Sequence, residues 1–325
     1  MSSRLADARL LLVTGKGGVG KSTVSAALAC ALAERGRRVL LVELGARPVM
    51  GELLKGQSPR HTPSVIAQSR FPTLWVSHLN AQKALQEYLA ETLKVRSLAR
   101  LATENKVLAR LWQAAPSVDE MAILTALERF EAETDPDHPS RPRFDHVVVD
   151  LPATGHARAM LSVPRGTLGM IRVGALADRA KQVDRLLHDR RKTSLVIVTL
   201  PEELPINETV QLSQVLEDEL DVETAAVVIN AVLPQVFDKE ESELVAALVE
   251  RIQDAAGQRL LAAATQKSTR QVRQGERISR LKDSLDTEFI EVGFESELGH
   301  TLIERIAGRF RSTFERSFVP GPEAV

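Results

Sequence analysis

The 325-residue chain carries 42 lysines and arginines against 43 aspartates and glutamates, so no strong overall charge draws it toward nucleic acid or a membrane surface. Hydrophobic residues make up 44% of the chain, which is enough for a substantial core, yet no apolar run reaches the length of a membrane span. A single cysteine, Cys30, excludes an intrachain disulfide and a Cys-x-x-Cys zinc clip, and without a signal-peptide pattern we expect a soluble cytoplasmic protein.

The first predicted elements are a buried strand at residues 10–13, a glycine-rich loop and a helix at residues 24–35. The loop fits the G-x-x-x-x-G-K-[ST] pattern, in which backbone N–H groups and a helix N-terminus surround phosphate oxygens. We expect Lys21 to neutralise the terminal phosphates of ATP and the Ser22 hydroxyl to bind Mg²⁺. The predicted nucleotide-binding residues of this loop are Gly15, Lys16, Gly17, Gly18, Val19, Gly20, Lys21, Ser22 and Thr23.

A second lysine, Lys16, directly follows Gly15. In this feature the chain resembles the deviant Walker A group of P-loop ATPases, which includes the arsenical pump-driving, tail-anchored-protein-targeting, septum-site and plasmid-partition ATPases. The resemblance implies that Lys16 reaches the phosphates on a partner subunit and acts in catalysis beside Lys21, within a nucleotide-controlled dimer. A solvated loop lysine is the alternative.

Residues 39–43 form a second apolar strand, and strand, helix and strand in so short a stretch predict a parallel sheet. Glu43 ends this strand at the edge where open α/β sheets hold their ligands. Relatives commonly place an aspartate in the switch I segment that follows, where it orients the attacking water, whereas this chain has Gly45. We therefore expect low turnover, with Glu43 as a candidate catalytic substitute. The alternative for Glu43 is a strand-end charge held by nearby backbone or an arginine.

The next stretch is predicted to be a loop at residues 57–72, a strand at 73–79 and a long helix from residue 81 to about 112. Ser117 is predicted to cap a further helix that ends near residue 130, with Glu120 completing a capping box. We expect these helices to form a subdomain inserted at about residues 80–132.

The tail-anchored-protein-targeting relatives bind the apolar helix of a client protein in the equivalent region. The alternative is that the apolar faces of these helices pack on the sheet or on each other.

A β-branched run at residues 147–149 ends in Asp150, which we predict holds Mg²⁺ through water opposite Ser22. The segment 151–156, Leu-Pro-Ala-Thr-Gly-His, closely resembles switch II of the arsenical pump-driving and tail-anchored-targeting ATPases. Gly155 is expected to approach the γ-phosphate and to let the segment rearrange when that phosphate leaves. His156 is either a relay to the helices beyond or a hydrogen-bonded structural histidine.

In the family an asparagine that ends a later strand hydrogen-bonds adenine, and Asn230 ends the predicted strand at residues 225–230. A turn-forming asparagine is the alternative. The segments 164–166 and 173–175 are expected to flank a short apolar piece at 168–173, and Asn207 or a preceding proline is expected to open a helix to residue 219. The other predicted elements are strands at 194–200 and 288–292 and helices at 177–189, 237–264 and 297–314.

Basic residues recur at mostly helical spacing in the last third of the chain: Lys267, Arg270, Arg273, Arg277, Arg280 and Lys282. Such a stripe is typical of a solvated helix face, and contact with anionic lipid or nucleic acid is the alternative. Few aromatic residues interleave with it, so nucleic acid is not expected as a partner. Residues 319–325 are predicted to be a disordered tail.

Together these features predict one doubly wound α/β P-loop domain over residues 1–325, with a mostly parallel sheet and an inserted helical subdomain. The expected function is that of a Mg-ATP-dependent ATPase which dimerises with itself or a paralogue and switches conformation. This conformational change is expected to act on a hydrophobic protein client or on a membrane partner. The alternatives are a nucleotide-gated scaffold with little turnover and an anion-pump motor that is not specific for arsenite, since Cys30 is the only cysteine. Only one P-loop occurs in this sequence, so we do not expect the tandem form of the pump subunit.

Overall fold

The computed structural model describes residues 4–45, 47–66, 71–93, 117–249, 251–252, 254–296 and 299–316. Its strands are β1 Leu10–Gly15, β2 Val39–Glu43, β3 Ser64–Val65, β4 Leu74–His78, β5 His146–Asp150, β6 Thr193–Thr199, β7 Thr224–Val232 and β8 Glu288–Gly293. They form one sheet in the order β3-β4-β2-β5-β1-β6-β7-β8. Every neighbouring pair is parallel except β3 and β4.

The described helices lie between and after these strands. They are α1 Arg4–Asp7, α2 Lys21–Glu34, α3 Met50–Leu53, α4 Ala81–Leu93, α5 Val118–Ala132, α6 Thr154–Met170, α7 Ala175–His188, α8 Glu203–Leu220, α9 Lys239–Val249, α10 Ala255–Ser284 and α11 His300–Arg316. No helix in the described ranges combines the length and the apolar character that a bilayer crossing requires.

Helices cover both faces of the sheet. Successive residues of a strand point to opposite faces, so Leu10 and Leu12 join one core while Leu11 and Val13 join the other. The first core packs the sheet against α4 to α8 and α10, and the second packs it against α2 and α11. This arrangement confirms the predicted doubly wound α/β fold with a mostly parallel sheet.

The described parts of α4 and α5 turn their apolar side chains toward the first core. Leu85 and Leu89 of α4, and Leu127 and Phe130 of α5, are all buried there. This packing agrees with the alternative prediction, in which the apolar faces of these helices pack on the sheet or on each other. The predicted continuation of the first helix to residue 112 lies outside the described residues.

Charged side chains link α4 and α5 on their outer side. The Arg129 guanidinium donates to Glu87 Oε2 at 2.5 Å and to Glu91 Oε1 at 3.3 Å. Glu87 also contacts the His61 ring at 3.3 Å, and the bonds from His61 and Arg129 hold the pKa of Glu87 down at about 2. Because both helices contribute to this group, it fixes their relative positions.

The predicted capping box at the start of α5 is wrong. Ser117 has a left-handed backbone, with φ of 68°, and its side chain makes no capping hydrogen bond. A capping serine needs extended backbone angles so that its hydroxyl reaches the N–H groups of the first turn. The left-handed conformation of Ser117 removes that geometry.

Helix boundaries differ from the predictions at three further places. The short apolar piece predicted at 168–173 is not separate, because α6 runs through the buried Pro164 as far as Met170. Helix α8 begins at Glu203, before Asn207, since a proline in the first turn has no intrahelical N–H bond to lose. The single helix predicted at 237–264 is two helices, and Asp254 caps the second by accepting from the Gly257 N–H at 2.7 Å.

One strand was missed within the predicted loop at 57–72. The short strand β3 pairs antiparallel with β4 through two exposed residues, a length that leaves no hydrophobic periodicity to detect. The predicted disordered tail at 319–325 lies outside the described residues.

Candidate functional site

The phosphate-binding loop joins β1 to α2 at the carboxyl edge of the sheet. Gly15 has a φ of 154°, and a side chain there would collide with the Val198 carbonyl of β6. Gly20 has a φ of 91°, and a side chain there would collide with the side-chain amide of Asn230. Only glycine combines these positive φ angles with such close packing, so the neighbouring strands shape the loop as its sequence pattern requires.

Lys21 opens α2 and bends back over the loop. Its Nζ donates to the Lys16 carbonyl at 3.1 Å. Burial removes water from the ammonium and lowers the pKa of Lys21, while the nearby Asp150 charge acts in the opposite direction. A partly desolvated ammonium is stabilised by a nearby anion, so the position of Lys21 over the loop suits a phosphate.

Ser22 and Asp150 meet at the base of the loop, although 128 residues separate them. The Ser22 hydroxyl donates to Asp150 Oδ2 at 2.6 Å, and the Ser25 hydroxyl donates to Oδ1 at 3.1 Å. Burial raises the pKa of Asp150, and the two serine bonds and Lys21 counteract part of that rise. A carboxylate and a hydroxyl that already lie together are the oxygen ligands that Mg²⁺ prefers, so these residues fit the predicted metal.

Ser25 was not predicted as part of this group. Its spacing was a usable signal, because residues three apart on a helix lie on the same face.

Glu43 is buried at the end of β2, beside Asp150 of β5. Its Oε1 accepts from the Val49 N–H at 2.6 Å and its Oε2 from the Met50 N–H at 3.4 Å, so it holds the start of α3. Burial raises the pKa of Glu43, and these two bonds oppose the rise. The contacts favour the structural alternative over a direct role in orienting water.

In this structure the Lys16 side chain contacts a residue of its own subunit. Its Nζ donates to Glu208 Oε1 on α8 at 2.5 Å, and both side chains remain more than one-third exposed. Glu208 was not predicted as a site residue. Because 192 residues separate the pair, no local pattern could have predicted it.

The switch II segment starts at the carboxyl end of β5 and enters α6. The Thr14 hydroxyl of β1 donates to the Pro152 carbonyl at 3.0 Å and ties this segment to the phosphate-binding strand. Gly155 lies exposed in the first turn of α6, where helix N–H groups are free of intrahelical partners. His156 is also exposed and makes no hydrogen bond to another described residue, so its predicted structural role gains no support.

Asn230 contacts the loop from β7. Its Nδ2 donates to the Val19 carbonyl at 2.9 Å, and its Oδ1 accepts from the Ala231 N–H at 2.9 Å. A side-chain amide has two N–H donors and an oxygen with two lone pairs, so one donor and one lone pair stay available for a ligand.

Comparison with known proteins places most of the chain within one family. The profile of the family described as "Anion-transporting ATPase" matches residues 8–173 and 169–260. The chain is 29% identical over 240 residues to "ATPase BagA" of Mycobacterium tuberculosis, covering 74% of this chain and 69% of the relative. It is also similar to proteins named "Arsenical pump-driving ATPase": 29% identical over 265 residues in Acidiphilium multivorum and 30% over 264 residues in Escherichia coli. Both matches cover 75% of this chain and 43% of the relative.

Proposed function

Because the chain belongs to the anion-transporting ATPase family, we propose that its carboxyl-edge site binds Mg-ATP and hydrolyses it by means of Lys21, Ser22 and Asp150. The chain is a nucleotide-binding ATPase, as its family is. The observation that supports these residue roles is the single cluster formed by the loop, the ammonium of Lys21 and the Ser22–Asp150 pair.

Each residue of the cluster has a distinct proposed role. Backbone N–H groups of residues 15–20 hold the phosphates, and Lys21 offsets the negative charge of the terminal phosphates. Ser22 and Asp150 would hold Mg²⁺, which when bound supplies positive charge to the transferring phosphoryl group. Asn230 would read adenine with its remaining amide donor and oxygen lone pair.

Phosphate release by purified protein tests this proposal. Lys21→Ala is expected to lower turnover by about 100-fold or more, because fixed charges on the transferring group supply most of the acceleration in such sites. Lys83→Ala, on α4, removes a lysine far from the loop in sequence and serves as the matched control. Turnover equal in wild type and Lys21→Ala, with tight ATP binding retained, would support the scaffold alternative instead.

We further propose that two subunits dimerise through their carboxyl edges when ATP is bound. Lys16 lies at this edge, partly exposed, on a loop that would border the triphosphate. In the dimer, Lys16 would release Glu208 and bind the phosphates held by the partner subunit. The Gly155 segment would change conformation when the γ-phosphate leaves. The partner subunit would be a second copy of this chain or a paralogue.

An apolar corner between α6 and α7 is our proposed contact for a hydrophobic client or membrane partner. Met170 and Val173 are 82% and 81% exposed, and Ile171 and Leu176 extend the same corner. Since α6 begins in switch II, a change at the nucleotide can move this corner directly.

Transport of an anion is the second candidate function, because the family description and the names of two relatives point to it. We do not assign arsenite to this chain, since Cys30 is buried in the second core.

A further inference from the structure

Three adjacent strands place a titratable side chain at the same level of the carboxyl edge. Asp150 of β5 lies beside Glu43 of β2, and Glu43 lies beside His78 of β4. Residues that are paired in register in a parallel sheet point to the same face, so the three side chains form a row across it. Asp150 and Glu43 were predicted as site residues, whereas His78 was not, and the proposed function gives it no role.

The backbone at His78 is held by hydrogen bonds on both sides. The His78 N–H donates to the Arg60 carbonyl at 2.8 Å. The N–H of the next residue, the buried Leu79, donates to the Glu43 carbonyl at 3.0 Å and so continues the pairing of β4 with β2. The imidazole ring therefore starts from a fixed strand end, which is the kind of support that holds a side chain accurately in a site.

The His78 ring contacts the switch I segment, which follows β2. Its Nε2–H donates to the Gly45 carbonyl at 2.7 Å, and because a carbonyl can only accept, Nε2 carries the proton in this contact. Glu43 holds the other end of the segment through the N–H groups of Val49 and Met50. Side chains from two neighbouring strands thus anchor the switch I segment near both of its ends.

Gly45 needs such an anchor more than another residue would. It has no side chain with which to orient a water molecule, so it can contribute to the reaction only through its backbone. A glycine backbone also has more accessible conformations than any other, so external contacts have to select one of them. The segment leaves β2 at Glu43, directly beside Asp150 and the proposed magnesium position. The bond from His78 therefore restricts the backbone that adjoins the metal and the terminal phosphate.

We propose that His78 is a positioning residue for ATP hydrolysis, which fixes the switch I backbone by donating its Nε2–H to the Gly45 carbonyl. It acts on the protein segment and does not contact ATP. This inference rests on the proposed function, because the switch I segment borders the reacting phosphate only if the loop that begins at Gly15 binds the triphosphate.

Steady-state kinetics of phosphate release test this role. His78→Leu removes the donor and is expected to lower kcat about three- to tenfold, the effect of one lost hydrogen bond. The KM for ATP should change by less than about twofold, because the phosphate-binding loop and Lys21 are unaltered. His78→Gln, whose amide N–H can reach the same carbonyl, should restore most of the turnover. His138→Leu, the same substitution in the exposed loop before β5, is the matched control and should leave kcat unchanged.

Hydrogen exchange measured by mass spectrometry tests the contact itself, without hydrolysis. In the nucleotide-free protein, a peptide that covers residues 43–50 should exchange faster in His78→Leu than in wild type, and at the wild-type rate in His78→Gln and His138→Leu. Thermal melting confirms that each variant is folded.

Two different failures can be told apart. If His78→Leu has the kcat of wild type while Lys21→Ala is impaired, or if His78→Leu raises KM alone, His78 has no positioning role and the ATPase site stands. If wild type and Lys21→Ala have the same turnover, the proposed function fails and the role of His78 fails with it, whatever the exchange rates are.

Discussion

At the residue scale, the second loop lysine, Lys16, contacts Glu208 of its own subunit. The sequence motif implied a contact with phosphates on a partner subunit instead. The ammonium is satisfied within its own subunit, at 2.5 Å from a carboxylate oxygen. For Lys16 to reach any phosphate, this ion pair has to break. If Lys16 binds phosphate as proposed, Glu208 is a positioning residue that competes with the nucleotide for the lysine.

Glu208→Gln is expected to tighten ATP binding about two- to fivefold, the range that a partly exposed ion pair can contribute. The gain should shrink at high salt, because screening weakens the competing pair. Calorimetric titration with Mg-ATP measures the change, and Glu217→Gln, the same substitution farther along α8, is the matched control. Weaker ATP binding, or an equal gain in the control, would contradict this role.

At the element scale, α6 connects the nucleotide edge to an exposed apolar corner. It begins at Thr154 within switch II and ends at Met170, whose side chain is among the most exposed apolar groups in the described structure. The helix continues through Pro164, so a displacement at its start is carried along one continuous element. This continuity supports the proposal that the corner moves when the bound nucleotide changes.

Combining Met170→Ser with Val173→Ser is expected to weaken binding of an apolar helical peptide about tenfold or more in the ATP state, because burial of these side chains drives the contact. Fluorescence anisotropy of a labelled peptide, with ATP analogue or with ADP, measures the affinity. Val65→Ser, an exposed apolar position on the edge strand β3, is the control. Equal affinity in both nucleotide states, or no effect of the substitutions, would remove the corner as a client site.

At the scale of the whole molecule, the nucleotide cluster lies at an edge where a second subunit can contact it. Lys16, Gly17, Gly18 and Gly155 are all at least partly exposed along that edge. A dimer formed there would enclose the phosphates between two subunits and exclude water from them. Exclusion of water strengthens the interaction of each fixed charge with the phosphates.

With Mg²⁺ and a non-hydrolysable ATP analogue, the wild-type chain is expected to sediment as a dimer, and without nucleotide as a monomer. Lys16→Ala should still bind the analogue but remain monomeric, because the charge that would bridge the subunits is gone. Analytical ultracentrifugation measures both masses, and Lys282→Ala, toward the opposite edge of the sheet where β8 begins, should behave as wild type. A dimer that forms equally in the Lys16→Ala variant would contradict the proposed contact. If the partner is a paralogue, the same measurement is made on a mixture of the two proteins.

The sequence alone was sufficient for the α/β class, for the order of most strands and helices, and for the loop that begins at Gly15. These features depend on local patterns: apolar runs for buried strands, helical periodicity, and a glycine loop between a strand and a helix. The proximity of Ser22 and Asp150 followed from the parallel-sheet rule, because neighbouring strands end at the same edge. The starts of α5 and α8 were less predictable: Ser117 has a left-handed backbone and makes no capping bond, and α8 begins at Glu203.

Only the tertiary structure decided which distant side chains meet. It paired Lys16 with Glu208, gave Glu43 the N–H groups at the start of α3, and placed arginines of the basic stripe along a cavity beside α8. These contacts depend on how far each helix is shifted and rotated against the sheet. Hydrophobic periodicity indicates which face of a helix is buried, but it does not specify the neighbours of the polar groups at the margin of that face.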